Sequence, residues 1–247
     1  MIAARDNLRK LAEYQQRREA CGNCALFCMC FPELADAGSR IDELKLRHKP
    51  ISKGEHLVLD GEKMRSLYVV RRGAMKAYEL TSDGDTMVTG FYFPGEVVGL
   101  ESLFSETHKG HVVALQDTCY CEIPLKTFKR LQKKSSELQS LTQELLCQSV
   151  YDTRRLLLTT RHLNAQARLA TFLVDVVDRL VEADTDVEFH LRVDRQDIAN
   201  YLGLTIGTVS RTLSGFRDEG LLSVSGKRFR IDNLPALQTI ATSFASR

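Results

Sequence analysis

The chain has 247 residues, 43% of them apolar and 27% charged, with a formal net charge of only +2. That composition is ordinary for a globular protein with an ample core, and it leaves any nucleic-acid-binding surface to be local rather than a matter of bulk charge. No run approaches the roughly 18 apolar residues that span a membrane, and the charged start MIAARDNLRKLAEYQQRREA has no apolar secretory core, so the expected compartment is the cytoplasm.

Residues 1–20 read as a charged helix or arm. CGNCALFCMC follows and places Cys21, Cys24, Cys28 and Cys30 within ten residues. Such a cluster suits a disulfide knot, a zinc site, a redox pair or an iron–sulfur nest. A cytoplasmic setting disfavours disulfides, and the total of 7 cysteines is odd, against a fully paired framework. A short helical stretch over 34–46 leads to Pro50.

From Ile51 to about Pro124, glycines at 54, 61, 73, 84 and 95 punctuate the short apolar runs LVL, LYVV, MKAYEL, MVTGFYF and EVVGL. Short β-branched and aromatic runs between regular turn signals predict an all-β sandwich, roll or barrel. Ser82–Asp83–Gly84–Asp85 reads as a hairpin turn. HVVAL (111–115) and CYCEI (119–123) supply the last strands.

The period then becomes helical. Residues 136–160 contain no Gly or Pro, and Leu138, Leu141, Leu145 and Leu156 form a stripe that meets Ser149, Asp152 and Thr153. Such a helix packs on its own β domain or pairs with its twin. As a seam it takes in Leu138, Leu141, Leu145, Val150, Asp152, Thr153, Leu156 and Leu157, and its polar middle makes the dimer marginal and adjustable. Cys147 is expected in the core or the seam. Residues 164–183 form another amphipathic helix, and DTDVEFHLRVD carries a short strand.

DRQDIANYLGLTIGTVSRTLSGFRDEGLLSVSGKRFRI (194–231) carries the clearest signal. Asp194 is placed to cap a short helix, Gly203 to break it, and Thr205 to cap a second helix with Val209, Leu213 and Phe216 inward. Helix, Gly-containing turn and helix make a helix-turn-helix. LLSV and RFRI follow as a hairpin wing with Lys227, Arg228 and Arg230. The start of the second helix enters the major groove. Thr205, Ile206, Gly207, Ser210 and Arg211 stand there, and Arg211 suits guanine O6 and N7. Arg217, Lys227 and Arg228 suit phosphates, which position without specifying.

β-rich front, long helix and winged reader together resemble the cyclic-AMP-receptor/FNR superfamily of bacterial transcription regulators. GFYFPGEVVGL (90–100), DIANYLGLTIGTVSR (197–211) and the Cys-x2-Cys-x5-Cys spacing with a later cysteine in CEIP resemble its FNR branch. The resemblance implies an α+β chain: an N-terminal β-roll (jelly-roll-like) sensor domain, a long dimerisation helix and a C-terminal winged helix-turn-helix. The divisions are 1–50, 51–135, 136–163 and 164–247. It also implies an oxygen-labile [4Fe–4S] cluster on Cys21, Cys24, Cys30 and Cys121, with Cys28 as alternate for Cys30. Zinc on four thiolates and a Cys21/Cys24 dithiol switch remain alternative uses of the cysteines. Cys119 shares the strand parity of Cys121, so Cys121 is chosen by context.

The function so implied is that of a homodimer binding palindromic promoter DNA, with reading helices roughly 34–36 Å apart, while the cluster is intact. Oxygen lowers DNA affinity. A response to nitric oxide or to a small ligand in the β-roll is the alternative. Asp152 is the candidate for tuning the seam by like-charge repulsion, with Thr153 second. RNA polymerase is an expected partner, through loops such as 82–86 and the segment near 112–118. The cyclic-nucleotide branch has an Arg-Ser pair absent from ETHKGHVVAL (106–115), so no cyclic nucleotide is expected; Gly95–Glu96 reads as a turn and strand start, and His108 and His111 as surface or fold residues. The family's Glu, which accepts from a cytosine amino group, is replaced by Gly207. No nucleophile–base constellation points to an enzyme.

Overall fold

The computed structural model describes residues 47–180 and 187–242. The arm at 1–20, Cys21, Cys24, Cys28 and Cys30, and the stretch 34–46 lie outside them.

Two four-stranded antiparallel sheets form the front. Sheet I runs β1 (Arg47–Ile51), β8 (Thr118–Pro124), β3 (Ser66–Arg72), β6 (Val97–Val98); sheet II runs β2 (His56–Val58), β7 (His111–Ala114), β4 (Met75–Leu80), β5 (Thr86–Tyr92). Strand alternation gives each sheet two faces. Val70, Val98 and Ile51 of sheet I meet Met75, Val112 and Ala114 of sheet II in the inner core. Gly73 turns β3 into β4 at φ 105°, and a Cβ there would lie 2.8 Å from the Thr118 backbone, so both conformation and space demand glycine. The predicted turn at 82–85 joins β4 to β5, with Thr81 N–H donating to Asp85 O at 2.9 Å.

Both outer faces are covered. Leu67, Val69, Val97, Cys121 and Ile123 of sheet I pack with Phe128 of α1 (Leu125–Gln132) and Leu138 of α2 (Ser136–His162). Ser135 caps α2 by accepting from Leu138 N–H at 3.1 Å, and 27 residues carry it about 40 Å. On sheet II, Val88, Phe91 and Phe93 share one apolar core with the carboxy-terminal helices.

Those helices are α3 (Ala165–Leu180), α4 (Arg195–Leu202), α5 (Ile206–Asp218) and α6 (Leu234–Ala241), joined by a three-stranded sheet of β9 (Val187–His190), β11 (Arg228–Ile231) and β10 (Leu222–Ser225). Ile198 and Leu202 of α4, Val209, Leu213 and Phe216 of α5, and Leu169, Leu173 and Val176 of α3 fill their centre. The fold is that of a β-sheet domain, a long helix and a winged helix-turn-helix. Among the described residues, no helix is long and apolar enough to cross a membrane.

Candidate nucleic-acid interface

The turn between α4 and α5 sets the reading helix. Gly203 adopts φ 61°, and Leu204 N–H bonds back to Ala199 O at 2.8 Å, closing α4 with a left-handed cap. Arg168 of α3 fixes this turn from beneath. Its Nη1 donates to Leu202 O at 3.0 Å and Gly203 O at 3.3 Å, while its Nε donates to Leu163 O, at the end of α2, at 2.9 Å. One guanidinium therefore stitches the exit of the long helix to the helix-turn-helix turn.

Thr205 caps α5 as expected, accepting from Thr208 N–H at 3.1 Å. Asp194 takes the cap position of α4 but makes no capping bond; its carboxylate pairs with Lys227 of the wing at 3.0 Å. An ion pair across the wing has displaced the local bond that the sequence suggested. Ile206, Gly207 and Arg211 are exposed, and Ser210 is half-buried. Ser210 Oγ accepts from Arg195 Nη1 at 3.3 Å. Arg195 thus joins the reading face, although its place at the start of α4 gave no sequence signal.

The wing cations are committed within the free chain. Arg228 pairs with Glu188 at 3.1 Å, Arg230 with Asp232 at 2.7 Å and Arg217 with Asp218 at 3.2 Å. Ser223, then Arg230, hold the Asp232 carboxyl below the usual range by hydrogen bonding. Among the described residues no carboxylate pairs with Arg195 or Arg211. Exposed pairs of this kind are worth ~0–1 kcal/mol, so phosphate competes with them easily.

The head is docked on the outer face of sheet II. Lys76 Nζ meets Asp197 at 2.6 Å. Asn200 of α4 accepts from Val88 N–H at 2.7 Å and donates to Thr86 O at 2.6 Å. Arg179 of α3 is clamped by Glu96, with contacts at 2.6 and 2.7 Å, by Asp175 at 3.2 Å and by Phe91 O at 2.6 Å, and lies 4.6 Å from the Phe93 ring centre. Burial works against the Arg179 charge, but Glu96 and then Asp175 outweigh it and raise its pKa above the ordinary value. Gly95 turns at φ 94° and Glu96 closes that turn on Phe93 N–H at 2.9 Å. Between β5, α2, α3 and α4 lies a cleft of about 340 Å³, lined by Tyr92, Glu101, Asp152, Asp175 and Tyr201 among others.

The long helix divides the eight expected seam residues between two faces. Leu138 is buried in the chain's own core, with Leu141 and Leu145 packed beside it. Leu156 is half-buried and Asp152 exposed, both at the cleft, and Asp152 accepts from Gln148 Nε2 at 2.8 Å. These residues serve the monomer's interior side. Val150 and Leu157 are 70% and 51% exposed on the other side. There Val150, Thr153, Leu157 and Thr160 recur at steps of three, four and three, the spacing of a two-helix seam, with Thr153 also at the edge of the cleft; Leu146, one turn earlier, is half-buried against the chain's own core. The leucine stripe read from the sequence lies largely inward, while Val150, Thr153 and Leu157 of the same expected seam are exposed.

Cys121 is 8% exposed in the cluster of Phe128 and Leu138. Its strand partners are Val69 of β3 and His48 of β1, the first described strand in chain order. Cys119 is half-buried, opposite Pro50 and Arg72 and past a bulge. Cys147 is exposed on α2. His108 is buried and His111 stacks on Tyr78 with ring centres 4.9 Å apart. Within 112–118, Val112, Ala114 and Thr118 are buried and only Asp117 is exposed; Ser82, Asp83 and Asp85 are all exposed.

Two family descriptions match the chain: a cyclic nucleotide-binding domain over residues 48–135 and a Crp-like helix-turn-helix domain over residues 167–240. The fumarate and nitrate reduction regulatory protein of Escherichia coli (strain K12) is 34% identical over 235 residues, covering 91% of this chain and 94% of that protein. Electron transport regulator A of Shewanella oneidensis is 32% identical over 227 residues, covering 88% and 91%. Among solved structures, FixK2 from Bradyrhizobium japonicum superposes with a TM-score of 0.74 at 28% identity, covering 81% of this chain and 99% of that one. A CooA mutant from Carboxydothermus hydrogenoformans shares the fold, with a TM-score of 0.67 at 19% identity, covering 85% and 94%.

Proposed function

The chain belongs to the Crp/FNR family of transcription regulators, which bind DNA and are not enzymes, and on that premise we propose that it is a cytoplasmic, homodimeric, oxygen-sensing regulator held in its DNA-binding form by an iron–sulfur cluster. One observation carries the reading: Cys121, the one described residue of the expected thiolate set, is held on β8 in register with His48 of β1, the first described strand in chain order. Cys21, Cys24, Cys30 and Cys121 form the thiolate set, with Cys28 as alternate for Cys30. Four thiolates are the ordinary donors for a [4Fe–4S] cluster. Held by those thiolates, a cluster would supply oxygen-labile chemistry.

The chain's own residues would couple Cys121 to the long helix and the reading head. Cys121 shares an apolar cluster with Phe128 and Leu138, so a shift of β8 reaches the first turn of α2 through packed side chains. The seam runs along Val150, Thr153, Leu157 and Thr160. Two apolar positions and two threonines give a weak dimer that small changes at the helix foot tip either way. Beyond the seam, Arg168 ties the end of α2 to the turn that aims α5. Dimerisation sets the separation of two reading helices, and Arg211 of each reads guanine. The exposed acidic turn 82–85 is the surface offered to RNA polymerase. The cysteine-rich start, and not a nucleotide in the β-roll, is the sensor.

Two measurements test this. Protein purified without air should hold about four irons and four sulfides per chain, with visible absorption that bleaches in air. Zinc, or no metal, would overturn the sensor and leave a zinc site or thiol switch. In air-treated protein, Thr153→Ile should favour the dimer by roughly tenfold or more, because a larger apolar side chain is buried twice across the axis. Asp152→Ala should change the balance by less than about twofold, since the Asp152 carboxylate is held by Gln148 of its own helix at 2.8 Å and lies off the line of Val150 and Leu157. Sedimentation giving the reverse order would place the seam on the cleft side.

A further inference from the structure

The reading helix is unusual in what it lacks. From Thr205 to Arg217 it contains no carboxylate and no carboxamide; the first acidic residue is Asp218. At the groove-facing start, the side chains are hydroxyls (Thr205, Thr208, Ser210), one exposed Ile206 and one cation, Arg211. Gly207 contributes none. A Cβ built at Gly207 would lie 3.4 Å from Arg211 Nη1 and 3.9 Å from Thr205 Oγ1. Arg211 therefore leans back along the helix across this bare position, one turn away, where its Nη2 reaches Thr208 Oγ1 at only 3.4 Å.

Base chemistry turns this arrangement into a prediction about sequence. Cytosine offers an N4 amino donor, which calls for an acceptor such as a carboxylate. Adenine is read in two-point fashion by Asn or Gln, and guanine by Arg. A hydroxyl donates or accepts with equal ease, so it separates the bases poorly. This helix therefore holds one strong base reader. Resting on the assignment of α5 to the major groove, we infer that the head is a single-guanine reader: Arg211 specifies one guanine in each half-site, and the base pair facing Gly207 is accepted in any form. Affinity then rests more on phosphates, through the start of α5, Arg195 and the wing, than on the base edges.

The test is selection from a randomised DNA pool, with protein purified without air, comparing the wild type with Gly207→Ala and Gly207→Glu. The wild type should enrich one guanine per half-site by roughly tenfold or more, and show less than about threefold preference at the neighbouring pair addressed by position 207. Gly207→Glu should introduce a preference of roughly tenfold for cytosine at that pair and leave the Arg211 guanine unchanged. Gly207→Ala, which adds helix propensity but no acceptor, should keep the wild-type profile. A wild-type site strict at every position would overturn the inference. So would a Gly207→Glu protein that still binds DNA with an unaltered profile. Failure of all three proteins to enrich any sequence would instead overturn the placement of α5 itself, and the inference with it.

Discussion

Cys121→Ser, purified without air, is expected to hold less than about one iron per chain and to lose its visible absorption, whereas Cys119→Ser keeps both. The two cysteines face the same way on β8, about 7 Å apart along the strand. Their surroundings differ. Cys121 is 8% exposed among Val69, Ile123 and Leu138, with His48 of β1 opposite it in register. Cys119 lies on the far side of the bulge, between Pro50 and Arg72. A hydroxyl is a hard, weak substitute for the soft thiolate that iron–sulfur clusters select. DNA affinity of Cys121→Ser should fall by roughly tenfold or more at fixed salt, because phosphate contacts make any comparison salt-dependent. Iron retained by Cys121→Ser but lost from Cys119→Ser would exchange the roles. Full iron in both would move the fourth ligand elsewhere.

Arg179→Met should be strongly destabilising. The side chain holds Glu96, Asp175 and Phe91 O at once and covers the Phe93 ring. Hydrogen bonds to charged groups contribute about 1.5–3 kcal/mol each, and removing one partner strands the others. Arg179 and Glu96 are still 28% and 29% exposed, so water repairs part of the loss. A destabilisation of about 2–4 kcal/mol is expected, read by calorimetry as a fall in Tm of about 5–15 °C. Arg179→Met with Glu96→Gln should recover part of it, since the stranded charge is then gone. A fall of less than about 2 °C would mean that the two domains hold together without this clamp.

The elements of this molecule were written locally, and its joints were not. Glycine-spaced strands, the Thr205 cap and the Gly203 turn depend on near neighbours, and they stand where the sequence places them. The existence of α2 was equally plain, but its faces were not. Leu138, Leu141 and Leu145 look like a seam until sheet I is laid against them. Arg179, Arg168 and Asn200 each act on partners far along the chain, and nothing in VDRLV, QARLA or IANYL marks them. Asp194 reads as a cap because the sequence does not show Lys227 folding back onto it. At α5 the candidate site could be read from the sequence because its expected contacts fall in seven consecutive residues, Thr205 to Arg211, whereas Arg195, arriving from α4, is brought to Ser210 only by the fold.

Asn200 has a consequence that reaches beyond positioning. β5 is the outermost strand of sheet II, and an outermost strand leaves a row of amide and carbonyl groups able to recruit a strand from another molecule. By taking Val88 N–H and Thr86 O, the Asn200 carboxamide behaves as a one-residue strand and occupies two groups of that row. A head held off sheet II would uncover them together with Val88 and Phe91. Docking therefore also shields part of an edge that another strand could otherwise pair with.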